Sequence, residues 1–426
     1  MGMSQAGAVS LLRDPDIEHA LSILAQPVLT AAGLGQSVRV LVVDERTVNA
    51  FVVDSRHIFL HWGLVVKMSS AAMLQAVIAH EAAHIANGHL VRRRSNLGNA
   101  RTAAAFGIAV AALAGAASGR ADAALGVAIG TQSSALRSFL AHTRAEEASA
   151  DHSSVRYMVQ AGVDPGAAVE VQQLFVGQDL LEPSRRDLYA RTHPPAQDRV
   201  RALRGFAAAY EGANPPDPDA AYWFARARGK LSAFLRPPKS VLRARWADEP
   251  PDVTLMRQAV AHFRQSQPDT ALGLLQEAMA LRPNDPFFYE LKGQILLQSR
   301  RFDAAVEAYR QAVDLAPDNA LCLGGYGRAL LAAGQPRQAR PILERAYDVD
   351  FRDTRLLRDL GLAYAQLGQK GMAALATAER YALQGRLEDA KIHAKRAQDL
   401  LAEGTQGWQR AADITRTAER MEERSR

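Results

Sequence analysis

His80-Glu81-Ala82-Ala83-His84 is the stretch of this sequence with the plainest chemical content. Two histidines at i and i+4 lie one above the other on a helix face, where both imidazoles reach one ion. Glu81, one residue on, projects beside such a metal rather than onto it. From there its carboxylate can take a proton from a zinc-bound water, whose pKa falls to about 7 on coordination. The chemistry expected of this pattern is hydrolysis.

A hydrolytic zinc needs a third protein ligand and an open position. Candidates come from Thr143-Arg144-Ala145-Glu146-Glu147-Ala148-Ser149-Ala150-Asp151. Glu147 and Asp151 stand at i and i+4 on a second helix, so Glu147 can bind the metal. Asp151 can then accept the free N–H of a ligating histidine and fix its tautomer. Glu146 is a rival ligand that spacing does not exclude. His193, in His193-Pro194-Pro195, ends a loop. It is placed either to stabilise a developing oxyanion or to fill the open zinc position and keep the site latent. Arg199 opens the next helix and would orient a carboxylate or a substrate carbonyl, or form a structural ion pair.

These residues need elements to hold them. A long helix from about Ser70 to Val91 carries the histidine pair, with His89 pointing off the ligand face in a supporting or structural role. Before it, Asp14 to Leu34 has helical periodicity and ends at Gly33 and Gly35. Val38 to Val43 reads as a β-branched strand, and Asn49-Ala50-Phe51-Val52 and His57-Ile58-Phe59-Leu60 as two more, joined by a turn at Asp54-Ser55-Arg56. Asn49, Ala50 and Phe51 form a candidate edge against which an extended peptide substrate pairs by main-chain bonds.

Beyond these strands nearly everything reads as helix, broken by Asn214-Pro215-Pro216-Asp217-Pro218, Pro237-Pro238 and Pro250-Pro251. After Val253 the chain repeats. Ala271, Ala305, Ala339 and Ala373 are 34 apart, as are Gly293, Gly327 and Gly361, and Ala278, Ala312 and Ala346. That period, with small residues at fixed offsets, is the tetratricopeptide signature of stacked helix pairs. Gln384-Gly385-Arg386 restarts the pattern out of phase, so the last unit is expected to be an irregular cap. The expected fold is mainly α: an α+β protease domain with a small β-sheet over 1–212, a proline-rich linker and connecting helix over 213–252, and a tetratricopeptide solenoid over 253–426.

The 426 residues are too many for one core, and 48% hydrophobic with 23% charged residues describes an ordinary globular chain. The net charge of +6 is read as solubility, because the run Arg92-Arg93-Arg94 has no nucleic-acid module around it. Cys322 is the single cysteine, which excludes internal disulfides and a thiolate-built zinc site. Met1 to Ala6 do not read as a signal peptide. Thr102 to Ala117 is apolar and Ala/Gly-rich, resuming to Gly130, but its longer unbroken piece is shorter than the ~20 residues a spanning helix needs. Two helices packing over the site or against a partner are expected there, with membrane-surface contact the lesser alternative.

Together these pieces resemble the HtpX/BepA-type zinc metallopeptidases, in the branch with a C-terminal tetratricopeptide array. The resemblance rests on Asn49-Ala50-Phe51, His80 to His84, Glu147 with Ala150-Asp151, Thr192-His193-Pro194 with Arg199, and the repeats, in family order across nearly the whole chain. It implies Glu147 rather than Glu146 as ligand, from a Glu-x-x-Ala-Asp pattern, and one Zn2+ per chain. It also implies a periplasmic endopeptidase of misfolded or stalled envelope proteins. Its repeats would dock clients or the outer-membrane assembly machinery, with at most peripheral membrane contact and no nucleic acid. The alternative is a chaperone or adaptor for outer-membrane protein assembly, its zinc silenced by His193 as fourth ligand. The turn after Phe51 departs from the family, which is commonly glycine-rich there, so the hairpin is expected to differ in shape.

Overall fold

The apolar, β-branched strands pair into one small sheet. The structure, a computed structural model, describes residues 10–95, 143–178, 181, 186–193, 197–210, 215–245 and 249–425. Leu11–Leu12 (β1) runs antiparallel to Arg39–Val43 (β2). Ala50–Val52 (β3) runs antiparallel to His57–His61 (β4), which is parallel to β2 with Val40 opposite Ile58 and Val42 opposite Leu60. The order β1-β2-β4-β3 puts β3 at one edge. In the β3–β4 turn, an Asp54 oxygen accepts the backbone N–H groups of Arg56 and His57 at 2.7 and 2.8 Å, and its other oxygen meets His57 Nδ1 at 2.9 Å. A side-chain-closed turn therefore does here what glycine would do by conformational freedom alone.

Among the described residues the chain forms two compact units, one up to residue 257 and one from 258 to 425. In the first, Pro15–Ala31 (α1) starts at Asp14, whose side chain caps the N–H groups of Asp16 and Ile17. Trp62–Lys67 (α2) follows β4, and Ala71–Ala86 (α3) is capped by Ser70, which accepts the N–H of Met73. The helix expected to continue to Val91 stops at Ala86. Gly88 takes φ +68°, a left-handed conformation that cannot propagate a right-handed helix, and the chain restarts as His89–Ser95 (α4). Arg144–Gln160 (α5), with a Thr143–Glu146 capping box, packs on α3. Gly166–Gln173 (α6), Leu188–Thr192 (α7) and Gln197–Ala208 (α8) complete this layer.

Pro218–Leu235 (α9), the helix expected to connect two domains, packs along α1 inside this same unit. Its Arg226 and Lys230 are wholly buried. Arg226 Nε lies 2.9 Å from Asp16 Oδ2 and its Nη1 2.7 Å from the Tyr222 hydroxyl, while Lys230 Nζ lies 2.9 Å from Asp14 Oδ1. The acidic start of α1 is thus matched by two cations 210 or more residues away. Burial at this depth is tolerable only because each charge is paired.

The second unit is a run of helices at the expected period, including Pro286–Gln298, Phe302–Leu315, Ala320–Ala332 and Pro336–Val349. Ala271, Ala305 and Ala339 at the fixed offset are completely buried, as are Ala278, Ala312 and Ala346, whereas Ala373 in the last of the series is only partly buried. The glycine series has a direct cause. A Cβ on Gly293 would lie 2.6 Å from the Tyr309 ring, and one on Gly327 only 2.4 Å from Leu343. At Gly361 the equivalent position is relaxed, with nothing nearer than 3.7 Å. After Gln384 come Leu387–Leu400 and a final 20-residue helix, Gln406–Ser425. The Ala/Gly-rich stretch from Thr102 to Gly130 lies outside the described residues. Among those described, no helix is long and apolar enough to cross a membrane.

Candidate metal centre

One turn of α3 separates His80 from His84, and both side chains face α5. Their Nε2 atoms stand 3.1 Å apart. From α5, Glu147 brings one oxygen to 3.5 Å from His80 Nε2 and the other to 3.4 Å from His84 Nε2. His193, the residue that ends α7, closes the group with its ring 5.3 and 5.5 Å from those of His80 and His84. Ligand atoms of all four residues lie within 4.8 Å of one another, and all four side chains are buried. Two imidazole nitrogens pointing at each other, with carboxylate oxygens 3.4–3.5 Å from both, are a donor set that fits a divalent metal better than it fits itself.

The surroundings hold these donors in place. His80 Nδ1 meets Asp151 Oδ1 at 3.2 Å. Arg199 grips Asp151 with two bonds, Nε to Oδ2 at 2.7 Å and Nη2 to Oδ1 at 2.8 Å, and its third nitrogen lies 2.6 Å from Glu147 Oε2. Burial alone would push both carboxyls up. The charges of His193 and Arg199 hold Glu147 well below the usual carboxylate range instead, and Arg199 with His80 does the same for Asp151. Burial pushes the His84 imidazole well below its ordinary value, which favours the neutral, ligating form. For His80 burial acts the same way, but Asp151 and Glu147 outweigh it and lift the group to about 10. A metal replacing the proton between these groups would meet ionised carboxylates already in place.

Glu81 is fully buried beside this set, its Oε1 3.3 Å from His193 Nε2. Glu146 turns away, its carboxylate accepting bonds from the Thr143 N–H and hydroxyl at 3.0 and 3.2 Å. Asn49, Ala50 and Phe51 are all buried. Asn49 Oδ1 takes the Thr192 hydroxyl at 3.4 Å, and Phe51 stacks on Phe59 at 5.3 Å, so only main-chain atoms of this segment are offered at an edge. Three further residues belong to the site. Tyr189 stacks on His193 at 4.5 Å, and its backbone N–H donates to the Val48 carbonyl. Thr192 Oγ1 lies 3.0 Å from His193 Nδ1. His89 Nδ1 lies 2.9 Å from His84 Nδ1. Tyr189 sits four residues before His193, a spacing that could have marked it on a helix, whereas nothing in the sequence pairs Asn49 with Thr192.

Both parts of the chain are similar to known proteins. Residues 12–207 match peptidase family M48, and residues 256–320 and 296–367 match tetratricopeptide repeats. The chain is 24% identical over 393 residues to the beta-barrel assembly-enhancing protease of Escherichia coli K12, covering 90% of this chain and 79% of the relative. It is 26% identical over 361 residues to the protein of that name in Yersinia pestis, covering 82% and 72%. The solved structure "MamA MSR-1 C2" is 18% identical, covers 38% of this chain and 96% of its own, and superposes with a TM-score of 0.32. The chain therefore consists of a peptidase family M48 domain followed by C-terminal tetratricopeptide repeats.

Proposed function

We propose that the chain is a zinc-dependent endopeptidase of misfolded or stalled envelope proteins, acting in the periplasm in the service of outer-membrane β-barrel assembly. The observation that carries the reading is the buried His80, His84 and Glu147 set with the Glu81 carboxylate beside it. Support for the cellular role is the β-barrel assembly named in the relatives' descriptions. Bound there, Zn2+ would polarise a carbonyl and acidify a water molecule. Glu81 is the general base: its carboxylate takes the proton of the attacking water and hands it to the leaving amine. Arg199 keeps Glu147 and Asp151 aligned, and Asp151 in turn sets the tautomer of His80. The edge strand at Asn49-Ala50-Phe51 aligns an extended substrate by main-chain bonds. The repeats dock clients or the outer-membrane assembly machinery.

The test is Glu81→Gln. That variant should keep zinc and lose cleavage of an unfolded substrate, and undiminished cleavage would sink the mechanism. A second reading, a chaperone or adaptor with a silent metal, is favoured by one observation: His193 lies within ligand distance of the other three. It would fill the position a substrate carbonyl needs. His193→Ala separates the two, since a gain in peptidase activity indicates latency and a loss indicates a role in stabilising the oxyanion.

A further inference from the structure

His84 presents Nε2 to the centre, 3.1 Å from His80 Nε2 and 3.4 Å from Glu147 Oε1. A nitrogen that ligates must offer a lone pair, so the proton of neutral His84 sits on Nδ1 and has to be donated. The atom facing Nδ1 is another imidazole nitrogen, His89 Nδ1, at 2.9 Å with the two rings 67° apart. Both residues are sealed from solvent, with 0% and 1% of their surface exposed. The left-handed Gly88 makes the contact: by ending α3 and restarting the chain at His89, it brings that ring back beside a residue five positions earlier.

We infer that His89 is the positioning residue of the metal site, fixing the tautomer and ring orientation of His84 by accepting its Nδ1–H. His89 then carries its own proton on Nε2. The two ligating histidines are backed differently. His80 leans on a carboxylate that is itself held by a guanidinium, whereas His84 leans on a neutral ring. A carboxylate partner makes an imidazole a stronger donor than a neutral partner does. His84 is thus the weaker donor of the pair, and the His89 hydrogen bond is what fixes its tautomer.

The inference rests on the metallopeptidase reading, and the test separates the two. Zinc affinity of the full chain is measured by competition with a chromophoric chelator for the parent, His89→Leu and His89→Asn, alongside thermal melting of each metal-free chain. Asparagine keeps an acceptor close to where Nδ1 stood; leucine removes it. His89→Leu should bind zinc about 10- to 100-fold more weakly, the usual effect of losing a ligand's outer partner, and His89→Asn should stay within a few-fold of the parent. A purely packing role would appear in metal-free melting and leave both affinities alike. Parent-like zinc affinity in His89→Leu overturns the assignment, as does an asparagine variant as weak as the leucine one. Should His89→Leu not fold, the asparagine variant decides alone, a tenfold loss overturning the assignment. A parent that binds no zinc overturns both readings. A parent that binds zinc but cuts nothing overturns only the peptidase reading.

Discussion

Changing Asp151 to asparagine preserves size and removes a charge at the point where three donors meet. Asp151 takes Arg199 Nε at Oδ2 and both Arg199 Nη2 and His80 Nδ1 at Oδ1, at 2.7, 2.8 and 3.2 Å. An amide has one acceptor atom and one donor group. With its oxygen in the Oδ1 place it keeps two bonds and turns its NH2 against Arg199 Nε; flipped, it keeps one and faces two donors. The first arrangement is the cheaper, and it forfeits one charge-assisted bond, about 1.5–3 kcal/mol of stability. At 2–4 °C per kcal/mol for a unit of this size, the metal-free melting temperature should fall by roughly 3–12 °C. Separately, weakening the outer partner of a ligating histidine should cost 10- to 100-fold in zinc affinity, or about 1.4–2.7 kcal/mol. Circular dichroism melts give the first quantity and chelator competition the second. A lowered melting temperature with unchanged zinc affinity would refute the reasoning, because it would make Asp151 a partner of Arg199 alone.

Three other outcomes follow from the packing and the charges. Arg226→Met leaves Asp16 buried with only Lys230 Nζ, 3.5 Å away, and should destabilise the first unit by about 3 kcal/mol in urea titrations; a loss below a few tenths would show that the pair is dispensable. Gly327→Ala should cost about 1–3 kcal/mol by overpacking Leu343, while Gly361→Ala at the same place in the next repeat should be neutral or stabilising, because a helix prefers alanine. Equal effects at the two glycines would contradict this. Burial pushes His61 down to about 4 from an ordinary 6.5, against a weaker opposing bond from Thr47. With the folded value below the unfolded one, no stability is lost above pH 6.5, and it falls as pH drops from there toward 4. The slope is about 1.4 kcal/mol per pH unit, hence about 2 kcal/mol by pH 5, and His61→Gln should flatten it. An identical slope in parent and variant, measured by urea titration, would remove His61 as the cause.

Local patterns carried most of the fold. The strands over 39–43, 50–52 and 57–61 and the 34-residue helical period are properties of neighbouring residues, and they appear where short β-branched and apolar runs and small-residue spacing put them. The histidine pair was equally legible, since both members lie on one helix. What sequence could not show depends on distant partners. Arg226 and Lys230 look like the polar face of a connecting helix until Asp14 and Asp16 are found against them. Likewise no local pattern tells that the Asn49 side chain meets Thr192, 143 residues away. The end of α3 was hidden for a different reason: glycine is tolerated within helices, and only the backbone shows that Gly88 adopts the left-handed conformation that ends this one.

The Arg199 tie between α8 and α5 also bears on how quickly the centre can exchange its ion. It spans 48 residues and aligns Glu147 and Asp151 by protein groups alone. In small zinc modules the ligands find their places only as the metal binds, so emptying the site means unfolding the chain. Here the Arg199 bonds would hold Glu147 and Asp151 ready for an ion, so little ordering of these two is expected at the moment of capture. Stripping with a chelator should therefore leave the helical circular dichroism signal largely intact, and refilling should be governed by access and dehydration of the ion rather than by refolding. Such a centre is a socket: its occupancy can follow the free-metal concentration around the protein while the scaffold stays built.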